Sequence, residues 1–399
     1  MQALDVHVGG TRPLGYGYWP LSQDDPGVEI PRESIRLVSP DGALVRGLLW
    51  TPPEGKSWKT AIILSHPRGD FSVHYACPLL AAAGYAVLGF GTRYMNNDTD
   101  CLHENCIVDV KTVHGEMIRR GAEAVVLLGN SGGGSLMALA QAELQIGDGW
   151  IGMAAHPGEG VFMNQVIDPS VADEGDAFST VPELDMYNPD NGWRPWPQPS
   201  AYDPAWVLRY RAAQVARVAR IDAIAKAGIA EATDAVRRLD DVQRDVDTVQ
   251  WRELRRRAVF TQYLTIYRTL ADPAYLDLSI DHDERPMGSL FAFPDPFDAN
   301  YGRGGLARTM TARGWLSTWS GLSSGAKLAD TMPRVTVPTM LVHPTADTEI
   351  RVWQAKEIVA KAGAADTTYV ELKGAPHYLE GYRTEAIAMV VDWLAKRFP

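Results

Sequence analysis

Thr60–Ser65, Tyr85–Phe90, Ala124–Leu128 and Trp150–Ala155 are short runs of almost unbroken apolar residues, and they constrain the fold more than any other feature. A strand wetted on one face alternates apolar and polar residues. A run without alternation must be covered on both faces, as strands inside a parallel sheet are. The segments between these runs, near His74–Ala83, Glu104–Arg120 and Ser135–Leu144, have helical periodicity. Alternating strands and helices predict an α/β chain with a doubly covered, mostly parallel sheet. Ser34–Val38 and Ala43–Trp50 flank the turn Ser39-Pro40-Asp41-Gly42 and predict a hairpin ahead of it.

The alternation stops at Pro157. A stretch rich in Pro, Asp, Asn and Gly runs to about Asp203, followed by helical spacing over roughly Pro204–Ala227 and Glu231–Leu270. In the second stretch Val236, Leu239, Val242, Val246 and Val249 form a stripe that Phe260, Leu264 and Tyr267 extend, with Arg237, Arg238, Asp240 and Asp241 on a solvated face. Strand-like Thr339–Val342 and Thr367–Leu372 then alternate with helix-like Val352–Ala362 and Thr384–Phe398. The expected organisation is one α/β core in two parts, residues 1–156 and 306–399, with a mostly helical cap inserted over 157–305.

Bulk properties narrow the function classes. A net charge of −11 with no basic stripe argues against a nucleic-acid partner. The segment Met1–His7 has neither a basic nor an apolar leader region, so no signal peptide is expected. The longest apolar stretch, Ala122–Leu139, is broken by Gly129–Ser135, which argues against a membrane span. Cys77, Cys101 and Cys106 match no disulfide framework or zinc pattern and are read as reduced thiols of a cytoplasmic protein.

Two pentapeptides spell G-x-S-x-G: Gly129-Asn130-Ser131-Gly132-Gly133 and Gly321-Leu322-Ser323-Ser324-Gly325. Context separates them. Ser131 follows the strand Ala124–Leu128 and precedes the helical Ser135–Ala140, so its hydroxyl would project from a sharp strand-to-helix turn in front of a helix N-terminus. Glycines two residues either side relieve that turn. Ser323 has no such strand before it. Ser131 is therefore the candidate nucleophile.

A serine hydroxyl needs a general base, and the base needs an orienting carboxylate. His377 ends the segment Lys373-Gly374-Ala375-Pro376-His377 after the last strand and is the only histidine beyond residue 343. Asp347, just past the strand Thr339–Val342, is the favoured acid, with Glu159 second and Glu349 third. Both loops lie past the C-terminal ends of parallel strands, where ligands bind in open α/β sheets. Of the two backbone donors an oxyanion hole requires, Gly132 supplies one. The other belongs to the loop Ser65-His66-Pro67-Arg68-Gly69; Pro67 has no N–H, so Arg68 or Gly69 must donate, and Arg68 is preferred.

Taken together, these motifs resemble those of the serine α/β-hydrolases with an inserted cap, over roughly Ser34–His156 and the final hundred residues. The resemblance implies an eight-stranded, mostly parallel sheet and no cofactor. Its members include esterases, lactonases, lipases, some amidases and C–C bond hydrolases. Pro67 departs from the usual His-Gly loop. His66, His156 and His343 each end a predicted strand before a proline; packing is expected of them, not metal binding. Tyr94, Trp193 and Trp196 are candidate pocket residues for a small-molecule substrate, a medium-sized, partly apolar or aromatic ester or lactone. A C–C hydrolase, amidase or acyltransferase using the same residues, and a non-catalytic binding protein, are the alternatives. Homo-oligomerisation is left open.

Overall fold

A computed structural model of the chain describes residues 26–54, 56–289, 295–302 and 304–398. The leader reading at Met1–His7 lies outside them. The main sheet has eight strands: β1 (Arg32–Val38), β2 (Leu44–Trp50), β3 (Thr60–Ser65), β4 (Ala86–Gly91), β5 (Ala124–Asn130), β6 (Gly149–Met153), and, after two short strands elsewhere, β9 (Thr339–Pro344) and β10 (Thr367–Leu372). Their order is β1-β2-β4-β3-β5-β6-β9-β10. β2 runs antiparallel to both β1 and β4, and the remaining pairs are parallel. The predicted hairpin is therefore the antiparallel edge of an otherwise parallel sheet.

β3, β4, β5, β6 and β9 are buried along almost their whole lengths, as unbroken apolar runs require. Alternate residues feed opposite faces. Ile63, Leu88, Val125 and Leu127 pack on one side with the helix His103–Arg119 and the helix Gly132–Leu144. Ile62, Val87, Val126 and Leu128 pack on the other with the helices Ala76–Ala82 and Arg383–Ala395. Thr60 and Ala61 of β3 pair with Ala124 and Val125 of β5, so both strands end at one edge, where Ser65 lies beside Gly129.

Between β6 and β9 the chain leaves the main sheet. One helix, Pro204–Leu239, spans 36 residues, capped by the Asp203 carboxylate; it is about 54 Å long at 1.5 Å per residue. It runs straight through the break expected near Ala227. Gly228 sits there because Gln262 crosses closely: a Cβ at Gly228 would lie 2.3 Å from Gln262 Oε1. The expected second helix also differs, being only Thr248–Val259. Leu264 lies on β7 (Tyr263–Thr265), which pairs antiparallel with β8 (Thr309–Thr311). Leu264 is buried between exposed neighbours, the period-two pattern of a strand, which a longer window had absorbed into a helical stripe. Phe162, Val218, Ile221, Trp315 and Trp319 form a second core away from the sheet. No helix among the described residues is long and apolar enough to cross a membrane. Cys77, Cys101 and Cys106 are buried free thiols.

Candidate active site

Ser131 stands between the last residue of β5 and the first of the helix Gly132–Leu144, with φ 56° and ψ −129°. A positive φ is strained for a serine, and neighbouring contacts hold it. The Ser131 N–H donates to the Met153 carbonyl, and the Ser131 carbonyl accepts from Gly134 and His156, each at 3.0 Å. Asn130 braces the turn from below: its Nδ2 donates to the Met153 carbonyl at 2.6 Å, and its Oδ1 lies 3.2 Å from His74 Nε2. The glycines are required by close approach. A Cβ at Gly129 would lie 2.1 Å from the Gly133 carbonyl oxygen, and one at Gly133 would lie 2.1 Å from that of Ser65.

His377 Nε2 is 3.0 Å from Ser131 Oγ, and His377 Nδ1 is 2.7 Å from Asp347 Oδ2. The structure thus brings together the three side chains expected from sequence. Asp347 Oδ1 accepts the N–H groups of Glu349 at 2.7 Å and Ile350 at 3.1 Å, which leaves Oδ2 for the imidazole. His377 and Asp347 are both buried. Burial works against the charged form of His377, but the carboxylates of Asp347 and Glu349 overcome it and hold its pKa at about 9. Burial likewise opposes ionisation of Asp347, and the adjacent imidazole prevails, leaving its pKa lowered.

Neither of the other two carboxylates considered from sequence bonds His377 Nδ1, which Asp347 occupies. Glu159 opens the helix Glu159–Val166 and is ion-paired with the Arg68 guanidinium. His66 Nε2 is 3.8 Å and His103 Nε2 3.6 Å from the Glu159 carboxylate. The Arg68 guanidinium also lies 4.3 Å above the Trp319 ring. Burial raises the Glu159 pKa, and Arg68 together with His66, His103 and His156 more than reverses this, leaving it lowered to about 2. Nothing in the local sequence marks this pair, because its members are 91 residues apart. Arg68→Ala would leave Glu159 a buried, unmatched carboxylate, and breaking such a pair costs about 3–5 kcal/mol. A lowered thermal midpoint, partly restored by adding Glu159→Gln, is the expected result.

The loop expected to form the oxyanion hole is organised by His66. Its Nδ1 accepts the backbone N–H of Arg68 at 3.3 Å and of Gly69 at 3.1 Å, which assigns the ring proton to Nε2. Burial keeps the ring neutral, with its pKa lowered to about 3. The Arg68 N–H is therefore held in place by a long bond that a better acceptor can displace. Gly132 begins its helix, where N–H groups have no partner within the helix.

His156 and His343 also lie at this edge. His156 Nε2 donates to Glu349 Oε2 at 2.7 Å, and that carboxylate is 3.6 Å from His377 Nε2. The ligand atoms of His156, Glu349 and His377 all lie within 4.8 Å of one another. Each is already engaged in a hydrogen bond, so the three side chains form one connected network. The loop carrying Asp347 is also tied to the inserted segment. Arg351 Nη2 is 3.2 Å from Asp272 Oδ2, and Arg211 Nη2, on the long helix, is 2.5 Å from Asp272 Oδ1.

The pocket candidates make hydrophobic contacts of their own. Trp193 and Trp196 pack on Met186, Tyr187, Tyr202, Trp206 and Tyr210 within the inserted segment. Tyr94, in the loop after β4, packs against the core cluster on one face of the sheet, and its hydroxyl accepts from Asn105 Nδ2 at 2.6 Å. The second G-x-S-x-G match serves the packing of the insertion, where the Ser323 hydroxyl donates to Asp222 Oδ2 at 2.5 Å.

No family model and no curated protein matches the sequence. Solved structures do match. The chain is similar to the α/β hydrolase GrgF from Penicillium sp. sh18, with TM-score 0.51 and 13% identity over 92% of this chain and 98% of that one. It is similar to DcsB, solved with its substrate analogue, with TM-score 0.52 and 10% identity over 92% and 99% of the two chains. A hypothetical protein from Pseudomonas aeruginosa matches with TM-score 0.51 and 14% identity over 98% and 100%. At such identities the likeness is one of fold. The chain has the α/β-hydrolase fold.

Proposed function

We propose that this protein is a serine hydrolase of a medium-sized, partly apolar or aromatic carboxylic ester or lactone. The observation that carries the reading is the unbroken chain from Ser131 Oγ through His377 to Asp347, at 3.0 and 2.7 Å. His377 Nε2 takes the hydroxyl proton as Ser131 Oγ bonds to the substrate carbonyl carbon. The resulting oxyanion is stabilised by the N–H groups of Gly132 and Arg68, the latter exchanging its bond to His66. The tetrahedral intermediate collapses, His377 returns the proton to the leaving alkoxide, and an acyl-enzyme remains. Water, deprotonated by His377, then releases the acid and regenerates Ser131. No step needs a cofactor. Phe162, edge-on to His156 with ring centroids 4.9 Å apart, and Trp319 beneath Arg68 bring apolar surface near the reacting atoms, in keeping with a partly apolar substrate. The inserted segment is the cap above them.

Labelling of the native protein by a fluorophosphonate probe, followed by turnover of p-nitrophenyl esters of rising chain length, tests the reading. A native protein that resists the probe at every pH would overturn it. The pH dependence has a definite sign. His377 accepts a proton only when neutral, and its pKa is held at about 9. The rate of labelling is therefore low near neutrality, climbs with pH, and levels off above about 9.

A further inference from the structure

His377 has carboxylates on both sides of its ring. Asp347 meets Nδ1, as the serine mechanism requires. Glu349, two residues further along the same loop, places Oε2 3.6 Å from Nε2, the nitrogen that takes the serine proton. This second carboxylate is no stray surface group. Glu349 is 3% exposed, and its Oε2 accepts from His156 Nε2 at 2.7 Å. His156 in turn packs edge-on against His377, with ring centroids 5.5 Å apart. A buried carboxylate needs hydrogen-bond partners, and the His156 N–H supplies one.

We infer that Glu349, held by His156, is a positioning residue that stabilises the His377 imidazolium from its Nε2 side, complementing Asp347 on the Nδ1 side. The inference rests on the serine mechanism proposed above. When Ser131 attacks, the proton and the positive charge arrive together at Nε2. A carboxylate 3.6 Å away in a desolvated setting interacts more strongly with the imidazolium than with the neutral ring. The same attraction acts on the resting enzyme, where it favours protonated His377 and moves the working range toward alkaline pH.

Other groups around the ring do not replace it. Asp347 is engaged at Nδ1, and the charge of Glu380, on the loop of His377 itself, acts after Asp347 and Glu349 in raising the His377 pKa. From β9, His343 faces the same cluster with its own pKa lowered by burial. Tyr378 contributes a ring 4.9 Å from His377. On the far side of Glu349, burial raises the pKa of the Tyr275 phenol well above its ordinary value, and Asp272 and Glu349 add to that, so it stays neutral.

The rate of labelling by an uncharged fluorophosphonate, measured from about pH 5 to about pH 10, tests this without knowledge of the substrate. Glu349→Gln keeps the shape and removes the charge. Its midpoint should fall by about one to three pH units, the usual effect of one nearby charge, and its plateau rate at high pH should drop. His156→Asn releases the carboxylate and should shift the midpoint in the same direction by less. A merely structural role would slow labelling in both variants at an unchanged midpoint, and that result overturns the inference. If only Glu349→Gln folds, as judged by its thermal transition, its midpoint alone decides. Native protein that fails to label at any pH would instead refute the serine mechanism, so the two failures are distinguishable.

Discussion

Ser131→Ala is expected to abolish fluorophosphonate labelling and lower ester turnover by about 10⁶-fold, the loss typical when a serine or histidine of such a unit is removed alone. The size follows from the geometry. Ser131 Oγ is the atom 3.0 Å from His377 Nε2, so alanine removes the group that attacks. The fold should not notice. The bonds that set the turn are backbone bonds from Ser131 to Met153, Gly134 and His156, and alanine keeps all of them. It also inherits φ 56° with no more steric conflict than serine had. An unchanged thermal midpoint alongside lost turnover is the expected pair. Turnover within tenfold of the native protein would place the nucleophile elsewhere.

Asp347→Asn should lower turnover by about 10⁴-fold, the loss expected when the base is held in the wrong tautomer. The loop dictates which way the amide turns. Two backbone N–H groups, from Glu349 and Ile350, point at Oδ1. The asparagine oxygen must take that position, since its NH2 would meet two donors. The NH2 therefore faces His377 Nδ1, the nitrogen now 2.7 Å from Oδ2. Nδ1 must then accept, the ring proton moves to Nε2, and Nε2 can no longer accept from Ser131. A His377 Nδ1 proton, visible by NMR in the native protein and absent in the variant, reports the tautomer directly. A variant that retains this proton and full turnover would reject the argument.

Much of the core is legible because its signals are local. Thr60–Ser65 is read correctly from its composition alone, since no alternation means burial on both faces. The Ser131 turn is legible from β5 before it and the helix after it, whereas Gly321–Gly325 lacks the strand and proves to be a loop whose serine bonds Asp222. Asp347 and His377 are legible because each follows a strand that reaches the same edge. The inserted segment is less readable. A break is expected after Ala227, but in the fold one helix runs through it and Gln262 packs against Gly228, a contact across 34 residues that no window covers. Leu264 keeps helical spacing with the preceding stripe by coincidence while its neighbours face outward on a strand. Trp193 and Trp196 pack, partly buried, against the aromatic cluster of their own segment, a contact that residue type alone does not specify. Glu159 and Glu349 are named from sequence as possible acids, but the pairing of Glu159 with Arg68 and the place of Glu349 beside His377 Nε2 are not legible, for a related reason. A loop bend decides which way Glu349 points, and spacing of two from Asp347 does not.

The buried line Arg351–Asp272–Arg211 couples the inserted segment to the edge of the main sheet. Arg351 belongs to the loop of Asp347, Arg211 to the long helix, and one desolvated aspartate serves both. An insertion transplanted without its Asp272 would strand Arg351 as an uncompensated cation against the Asp347 carbonyl, which its Nη1 approaches at 3.3 Å. The inserted segment is thus no interchangeable module, since a change at Asp272 would have to be matched by a change in the Asp347 loop.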